Sequence, residues 1–199
     1  MREVDRQLGR ILDWREASGR ADCLNIVALS DHGHVSVVDE AIGLAARLEA
    51  AGLGTDGAVA ASSCGGLYPS AGCDLQEVAS WLQRQDWCGP LLAAGPQAPA
   101  GTLPSTAANL AHPRTAPLTF VLAADLQPGS GGHPGRTRHD NPGIPAGGSM
   151  HGGLTPIELG HCLAMSGPSF GQGIRLATPA GLVDLMPTLL HLLDLSVSG

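Results

Sequence analysis

The chain has 199 residues, of which 43% are hydrophobic and only 3% aromatic, so it can bury one sizeable and mainly aliphatic core. Its formal net charge is −7, because 18 acidic residues outnumber 11 basic residues, all of them arginine. We expect no nucleic-acid surface, since binding to a phosphate backbone needs a clustered positive patch and the sequence contains none.

The cysteines and the hydropathy pattern predict a cytoplasmic protein that makes no membrane contact. Five cysteines form an odd set without a CxxC pair, which favours neither a disulfide framework nor a zinc ribbon. No segment approaches the ~18 continuous apolar residues of a membrane span. The charged N-terminal stretch "MREVDRQLGR" is also unlike a signal peptide.

The first third of the chain predicts alternating helices and strands. Residues 2–17 have apolar positions at helical spacing, and Gly19 follows as a stop signal. Residues 24–30 form a continuous apolar run, typical of a strand that is buried on both faces of a parallel sheet. The segment "VVDEAIGLAARLEAAGLG" predicts a second helix that ends at Gly52 or Gly54. Helix, buried strand and helix in this order indicate an α/β fold.

The middle of the chain alternates between clear and weak signals. Residues 57–63 predict a weak strand and "CGGLYPSAG" a loop, whereas Asp74 is a predicted N-cap of a third helix. Residues 89–116 are rich in Pro, Gly, Ala and Thr without a period and predict a surface connection. Residues 118–124 return to an apolar run and predict another buried strand.

The last third begins with a Gly/Pro/His tract at residues 127–148, which predicts a long loop. "TPIE" at residues 155–158 is a capping box with proline at the first helical position. Residues 161–167 predict a strand. A final helix is predicted to start at Thr178 and to kink or restart at Pro187.

Asp31 and His32 come directly after the first predicted strand. In open α/β sheets ligands gather beyond the carboxyl ends of the strands, and divalent metals accept carboxylate and imidazole ligands. Gly33 allows the sharp turn that would direct both side chains to one point. The alternative is a polar turn without a ligand.

His151 is the second candidate metal ligand, because it lies in the tight glycine setting "MHGG" between two predicted strands. The alternative is a loop histidine that is exposed to water. Five other residues in or beside the Gly/Pro/His tract have side chains that could act as a ligand or as the nucleophile. A structural role is favoured for each, since a nucleophile needs a rigid helix start. They are Asp125, His133, His139, Asp140 and Ser149. His191 is predicted to be a core or boundary residue, and His34 has no predicted partner.

Four motifs together resemble the C-terminal half of the type I phosphodiesterase and nucleotide pyrophosphatase family, within the alkaline phosphatase superfamily. They are "LNIVALSDHG", "MHGGLTPIEL", "AMSGPSFGQGI" and "PAGLVDLMPTLLHLLDL", in this order. The likeness is weakest between residues 57 and 116. It implies an α/β fold, a partial alkaline-phosphatase-like sandwich with a mainly parallel sheet flanked by helices and lacking the N-terminal part. Residues 1–199 would form one incomplete domain with a less regular insertion at about 57–116.

The resemblance also implies a chemistry. Members of the family hold two divalent metal ions, often zinc, with manganese or iron as alternatives here. Asp31 and His32 would bind the metal that activates the nucleophile, and His151 would bind the other metal. The substrate would be a phosphate ester or a nucleotide.

The family's nucleophile and about half of its metal ligands precede the helix that resembles residues 2–17. We therefore expect a C-terminal portion of a metal-dependent phosphoric-ester hydrolase that is inactive alone. The alternatives are a non-catalytic metal- or partner-binding remnant, or a start assigned too late in a longer reading frame. An unpaired apolar strand invites pairing, so an upstream polypeptide or self-association is expected.

Overall fold

The computed structural model describes residues 2–60 and 62–196. Contacts divide the chain into two compact units: unit 1 comprises residues up to Asp31 together with those from His161 onwards, and unit 2 comprises His32–Gly160. The helices are α1 (Arg2–Ala17), α2 (Leu44–Ala50), α3 (Leu75–Gln83), α4 (Pro156–Leu159) and α5 (Leu185–Leu192). The strands are β1 (Ile26–Leu29), β2 (Val35–Val37), β3 (Thr55–Ala60), β4 (Cys64–Pro69), β5 (Cys88–Ala93), β6 (Leu103–Pro104), β7 (Leu118–Leu122), β8 (Ala124–Pro128), β9 (Pro134–Thr137), β10 (Ser149–Met150) and β11 (Leu163–Ser166).

Unit 2 contains the hydrophobic core. Its larger sheet has five strands in the order β3-β4-β7-β5-β6, and α2 and α3 contribute buried leucines to the same cluster. Phe120, in the central strand β7, and Leu67, in β4, are fully buried. The smaller sheet has four strands in the order β10-β2-β9-β8 and carries the histidines of the candidate site on the ends of two of its strands.

Unit 1 contains a two-stranded sheet of β1 and β11, together with α1 and α5. Among its described residues none is buried. His191, predicted to be a core or boundary residue, is exposed on α5. In the described part of the chain, no helix has the length and apolar character needed to cross a membrane.

Several local predictions are confirmed. The helix over residues 2–17 is α1, and the strands predicted at 118–124 and 161–167 are β7 and β11. Asp74 caps α3, since its carboxylate accepts a hydrogen bond from the backbone N–H of Gln76 at 2.8 Å. The capping box at Thr155 and Glu158 starts α4. The strand predicted at 57–63 is β3, which starts two residues and ends three residues earlier, and Ala61 lies outside the described residues.

The prediction of a mainly parallel sheet is wrong, because the sheets are mixed. Among the strands of residues 2–60 and 62–196, only β2–β9 and β5–β6 are parallel pairs, and the other pairs are antiparallel. The connection of three residues between β3 and β4 is too short for a parallel crossover, so these strands form a hairpin. β1 was predicted to be buried on both faces of a parallel sheet. It pairs antiparallel with β11 and is only half-buried, because an apolar run alone specifies neither partner nor direction.

Three predicted loops contain strands. "CGGLYPSAG" holds β4, the connection at 89–116 begins inside β5, and the tract at 127–148 holds the end of β8 and all of β9. Glycine masks the signal in β4, where a Cβ on Gly66 would lie 2.7 Å from the Cβ of Ala116. Low β-propensity there reflects close packing rather than an absent strand.

Two helix starts also differ from prediction. α2 begins only at Leu44, because Gly43 has a positive φ of 66° and Asp140, far along the chain, accepts hydrogen bonds from the backbone N–H groups of both residues. α5 begins at Leu185 rather than at Thr178, and Pro187 lies in its first turn, where proline is tolerated.

Candidate metal centre

Three histidines lie at adjacent strand ends in unit 2. His32 and His34 precede β2 and point to the same side of the chain, since alternate residues of an extended segment share a face. β10 pairs antiparallel with β2, with Met150 opposite Val35. One step further along this ladder, His151 faces His34. The pairing of β2 with β10 therefore brings together residues that are more than 110 positions apart.

The three imidazoles form a cluster, which we call the histidine cluster. The rings of His32 and His151 are stacked, with centroids 3.8 Å apart and planes 17° from parallel. The His34 ring lies 5.2 Å from the His32 ring and 5.1 Å from the His151 ring. Nδ1 of His34 is 3.0 Å from the hydroxyl of Ser149. His34 had no predicted partner, and the sequence signal that could have found it is the alternation in "DHGH".

His32 also contacts the backbone. Its Nδ1 lies 3.0 Å from the carbonyl oxygen of Gly33. Because a carbonyl oxygen can only accept, this contact favours the tautomer that carries the proton on Nδ1. A backbone contact of this kind orients metal-binding histidines in many proteins.

Gly33 allows the backbone of α4 to approach the segment that carries His32 and His34. A Cβ on this residue would overlap the carbonyl oxygen of Ile157 and would lie 2.9 Å from that of Gly160. The backbone N–H of Gly33 donates to the carbonyl oxygen of Glu158 at 2.9 Å. A side chain at position 33 would therefore push the two histidines away from α4.

The turn after His151 depends on two glycines. Gly152 has a φ of 106°, and a Cβ there would lie 2.6 Å from the hydroxyl oxygen of Ser62. A Cβ on Gly153 would overlap the carboxylate of Glu158, which instead accepts a hydrogen bond from the backbone N–H of Gly153 at 2.9 Å. "MHGG" is thus a turn in which only glycine fits at both positions after the histidine.

A thiol lies next to this turn. Burial raises the pKa of the Cys64 thiol, and the negative charge of Glu158 raises it further against the opposing hydrogen bond from Ser62. Cys64 is therefore a thiol at neutral pH and not a nucleophile.

The predicted ligands are brought together in part. The rings of His32 and His151 are in contact, and their role as metal ligands stays a prediction. Asp31 is exposed in the bend after β1 and directly precedes His32 in the chain, although it belongs to unit 1. Imidazole and carboxylate are donor types that suit zinc, manganese or iron. Within residues 2–60 and 62–196, no group of three or more His, Cys, Asp or Glu side chains is arranged to hold a metal ion.

The other residues weighed as ligands have structural contacts. Asp125 pairs with Arg136 across β8 and β9, and this guanidinium holds the pKa of the Asp125 carboxyl below its usual value. His139 is fully buried between backbone groups and Asp140 caps α2, whereas His133 is exposed. The structural roles favoured for His139 and Asp140 agree with these contacts.

The comparison with known families identifies the chain. The family model of type I phosphodiesterase / nucleotide pyrophosphatase matches residues 1–115, more than half of the sequence. The chain therefore belongs to this family, and membership supports a phosphoric-ester hydrolase kind of protein. The match includes Asp31 and His32 and ends before His151. It also runs through residues 57–115, the part of the chain in which the likeness to the family's motifs is weakest. No curated protein matches the chain.

Proposed function

We propose that this chain carries part of a two-metal site for the hydrolysis of phosphoric esters, of the phosphodiesterase or nucleotide pyrophosphatase type. Asp31 and His32 would hold one divalent ion, and His151 would hold the other. The observation that supports the proposal best is the contact between the His32 and His151 rings, at 3.8 Å, in a member of this family.

When bound, two divalent ions would polarise a phosphoryl oxygen and lower the pKa of the attacking group. The residues of this chain would position that chemistry. In the tautomer that the Gly33 carbonyl favours, Nδ1 of His32 carries the proton and Nε2 would ligate. The turn at Gly152 and Gly153 holds His151 beside His32. The small-molecule partner would be a phosphate ester or a nucleotide.

We expect the chain alone to bind Zn²⁺ and His32→Ala to weaken this binding by roughly 100-fold. Loss of a residue that only orients a ligand lowers metal affinity about 10- to 100-fold, and loss of the ligand itself should cost at least the upper value. Equilibrium dialysis with Zn²⁺ measures this directly. His133→Ala is the matched control, since this histidine lies on an exposed loop and should leave the affinity unchanged. Equal affinity for the wild type and His32→Ala would contradict the assignment.

We also expect no turnover of an activated phosphodiester such as bis(4-nitrophenyl) phosphate, with Zn²⁺ or Mn²⁺ supplied. The serine hydroxyls beside the segments that carry the histidine cluster belong to Ser62 and Ser63, in a loop, and Ser149, in a strand, and none of the three lies at a helix start that would lower its pKa. Robust turnover that His32→Ala abolishes would overturn the expected inactivity while supporting the metal chemistry.

A second candidate function is a non-catalytic role in association, and the exposed apolar surface of unit 1 favours it. Twelve of the eighteen exposed large hydrophobic side chains among the described residues belong to this unit. Exposed apolar side chains are normal when they occur singly, but these twelve belong to a unit in which no described residue is buried, and covering by a partner would bury them. We propose that a second copy of the chain covers this surface.

Sedimentation equilibrium should therefore give an average mass that rises above 20.2 kDa with concentration. Val4→Glu together with Ile11→Glu, on the exposed stripe of α1, should shift the chain towards the monomer. Leu126→Glu, at a similarly exposed position in unit 2, is the matched control and should not. A monomer at every concentration would contradict the proposal.

A further inference from the structure

We infer that Glu158 is the positioning residue that sets the His32–His151 contact, an inference that rests on the proposed function of these two histidines. In the sequence, Glu158 is only the last residue of a capping box. In the structure its side chain is 2% exposed and its carboxylate lies at the junction of the two histidine-bearing segments.

The carboxylate of Glu158 holds the turn after His151. Oε1 accepts a hydrogen bond from the backbone N–H of Gly153 at 2.9 Å, and Oε2 accepts one from the hydroxyl of Thr155 at 2.8 Å. The Ser63 hydroxyl lies 3.0 Å from Oε1 and 2.9 Å from the carbonyl oxygen of His151, so its proton serves one or the other. These contacts fix the backbone on both sides of Gly152.

The backbone of the same residue holds the other segment. The carbonyl oxygen of Glu158 accepts the hydrogen bond from the N–H of Gly33, the residue between His32 and His34. One residue therefore joins both loops, through its carbonyl to one and through its carboxylate to the other. Burying a carboxylate is costly unless donors satisfy it, and here the donors to the carboxylate come from the turn after His151 and from Ser63 beside it.

A helix cap alone would not require this arrangement. Asp74 caps α3 from a surface position and accepts from Gln76 only. Glu158, in contrast, caps a helix of four residues that has little stability of its own to gain. The extra contacts to Ser63 and Gly153 serve the loop of His151 rather than the helix.

The test uses Glu158→Gln in the full chain, which preserves the size of the side chain but replaces an acceptor oxygen by an amide donor. In metal-free protein we expect the nuclear Overhauser effect between the His32 and His151 ring protons to be lost. We expect the dissociation constant for Zn²⁺, measured by competition with a chromophoric chelator, to rise about 10- to 100-fold. Asp74→Asn makes the same carboxylate-to-amide change at another helix cap in the same unit and should change neither quantity.

Ser63→Ala removes the hydroxyl that contacts Glu158 and His151. It should weaken the ring contact and raise the dissociation constant for Zn²⁺, each by a smaller amount than Glu158→Gln does. If Glu158→Gln does not fold, the result for Ser63→Ala decides the question. The backbone amide NMR signals of the five-stranded sheet show whether each variant is folded. A ring contact and a Zn²⁺ affinity that stay within twofold of wild type in the folded variants would overturn the inference. Loss of the ring contact in variants of a chain that binds no Zn²⁺ would support the positioning role and refute the proposed metal function.

Discussion

Replacing Gly33 by alanine is expected to lower the free energy of unfolding of unit 2 by about 3 kcal/mol, near the upper end for inserting a methyl group into a packed site. The added Cβ would overlap the Ile157 carbonyl oxygen, which belongs to the backbone and cannot rotate away. The hydrogen bond from Gly33 to Glu158 would lengthen as the segments separate. Urea denaturation, followed by tryptophan fluorescence, measures the loss.

A Trp14→Phe background restricts that signal to unit 2, because the remaining tryptophans, Trp81 and Trp87, both lie there. Gly57→Ala is the matched control. It places a methyl group on β3 of the same unit with no atom within 4 Å, so its stability should stay within about 0.5 kcal/mol of wild type. Equal stability of both variants would mean that α4 does not approach Gly33 as described.

His139→Ala should also destabilise unit 2 by about 3 kcal/mol, without a change in Zn²⁺ affinity. The ring is fully buried, Nδ1 accepts from the N–H of Asn141 at 3.2 Å, and Nε2 donates to the carbonyl oxygen of Asp39 at 3.0 Å. Its removal leaves a cavity and two backbone groups without these partners. The denaturant midpoint, measured in the same Trp14→Phe background, should fall accordingly.

The control for this second effect is His133→Ala, a histidine in the same Gly/Pro/His tract but exposed to solvent. Its stability should remain within about 0.5 kcal/mol of wild type. If His139→Ala instead lowered Zn²⁺ affinity as much as His32→Ala, His139 would be a ligand and the structural interpretation of its burial would be wrong. The two experiments together separate histidines that hold the fold from histidines that would hold a metal.

Local contacts explain which elements were predicted correctly. The Asp74 cap acts two residues along the chain and the Thr155–Glu158 box acts three, so the residues that make the contact stand next to each other in the sequence. The family could also be recognised, because its motifs are short continuous segments and the matched model includes the first of them. The apolar run that forms β1 is also a short continuous segment, so the sequence predicts this strand. It does not predict that β11 is the strand's partner.

Long-range pairings explain what was missed. His34 joins the cluster because β10 pairs with β2, and no residue near position 34 specifies that partner. β4 was predicted as a loop because Gly65 and Gly66 have low β-propensity, while the sheet needs the close approach that glycine permits.

The amino-acid sequence by itself determined the family, the starts of the two helices with N-terminal caps, α3 and α4, and two of the histidines that lie in contact. Only the tertiary structure decided the direction of the strands, the place of His34 and the double attachment of Glu158, whose carboxylate meets a hydroxyl from 95 residues earlier. The physical reason is the separation along the chain between the residues that interact. Caps and turns are specified by neighbours along the chain, whereas strand partners and buried polar contacts depend on which distant surfaces meet when the core closes.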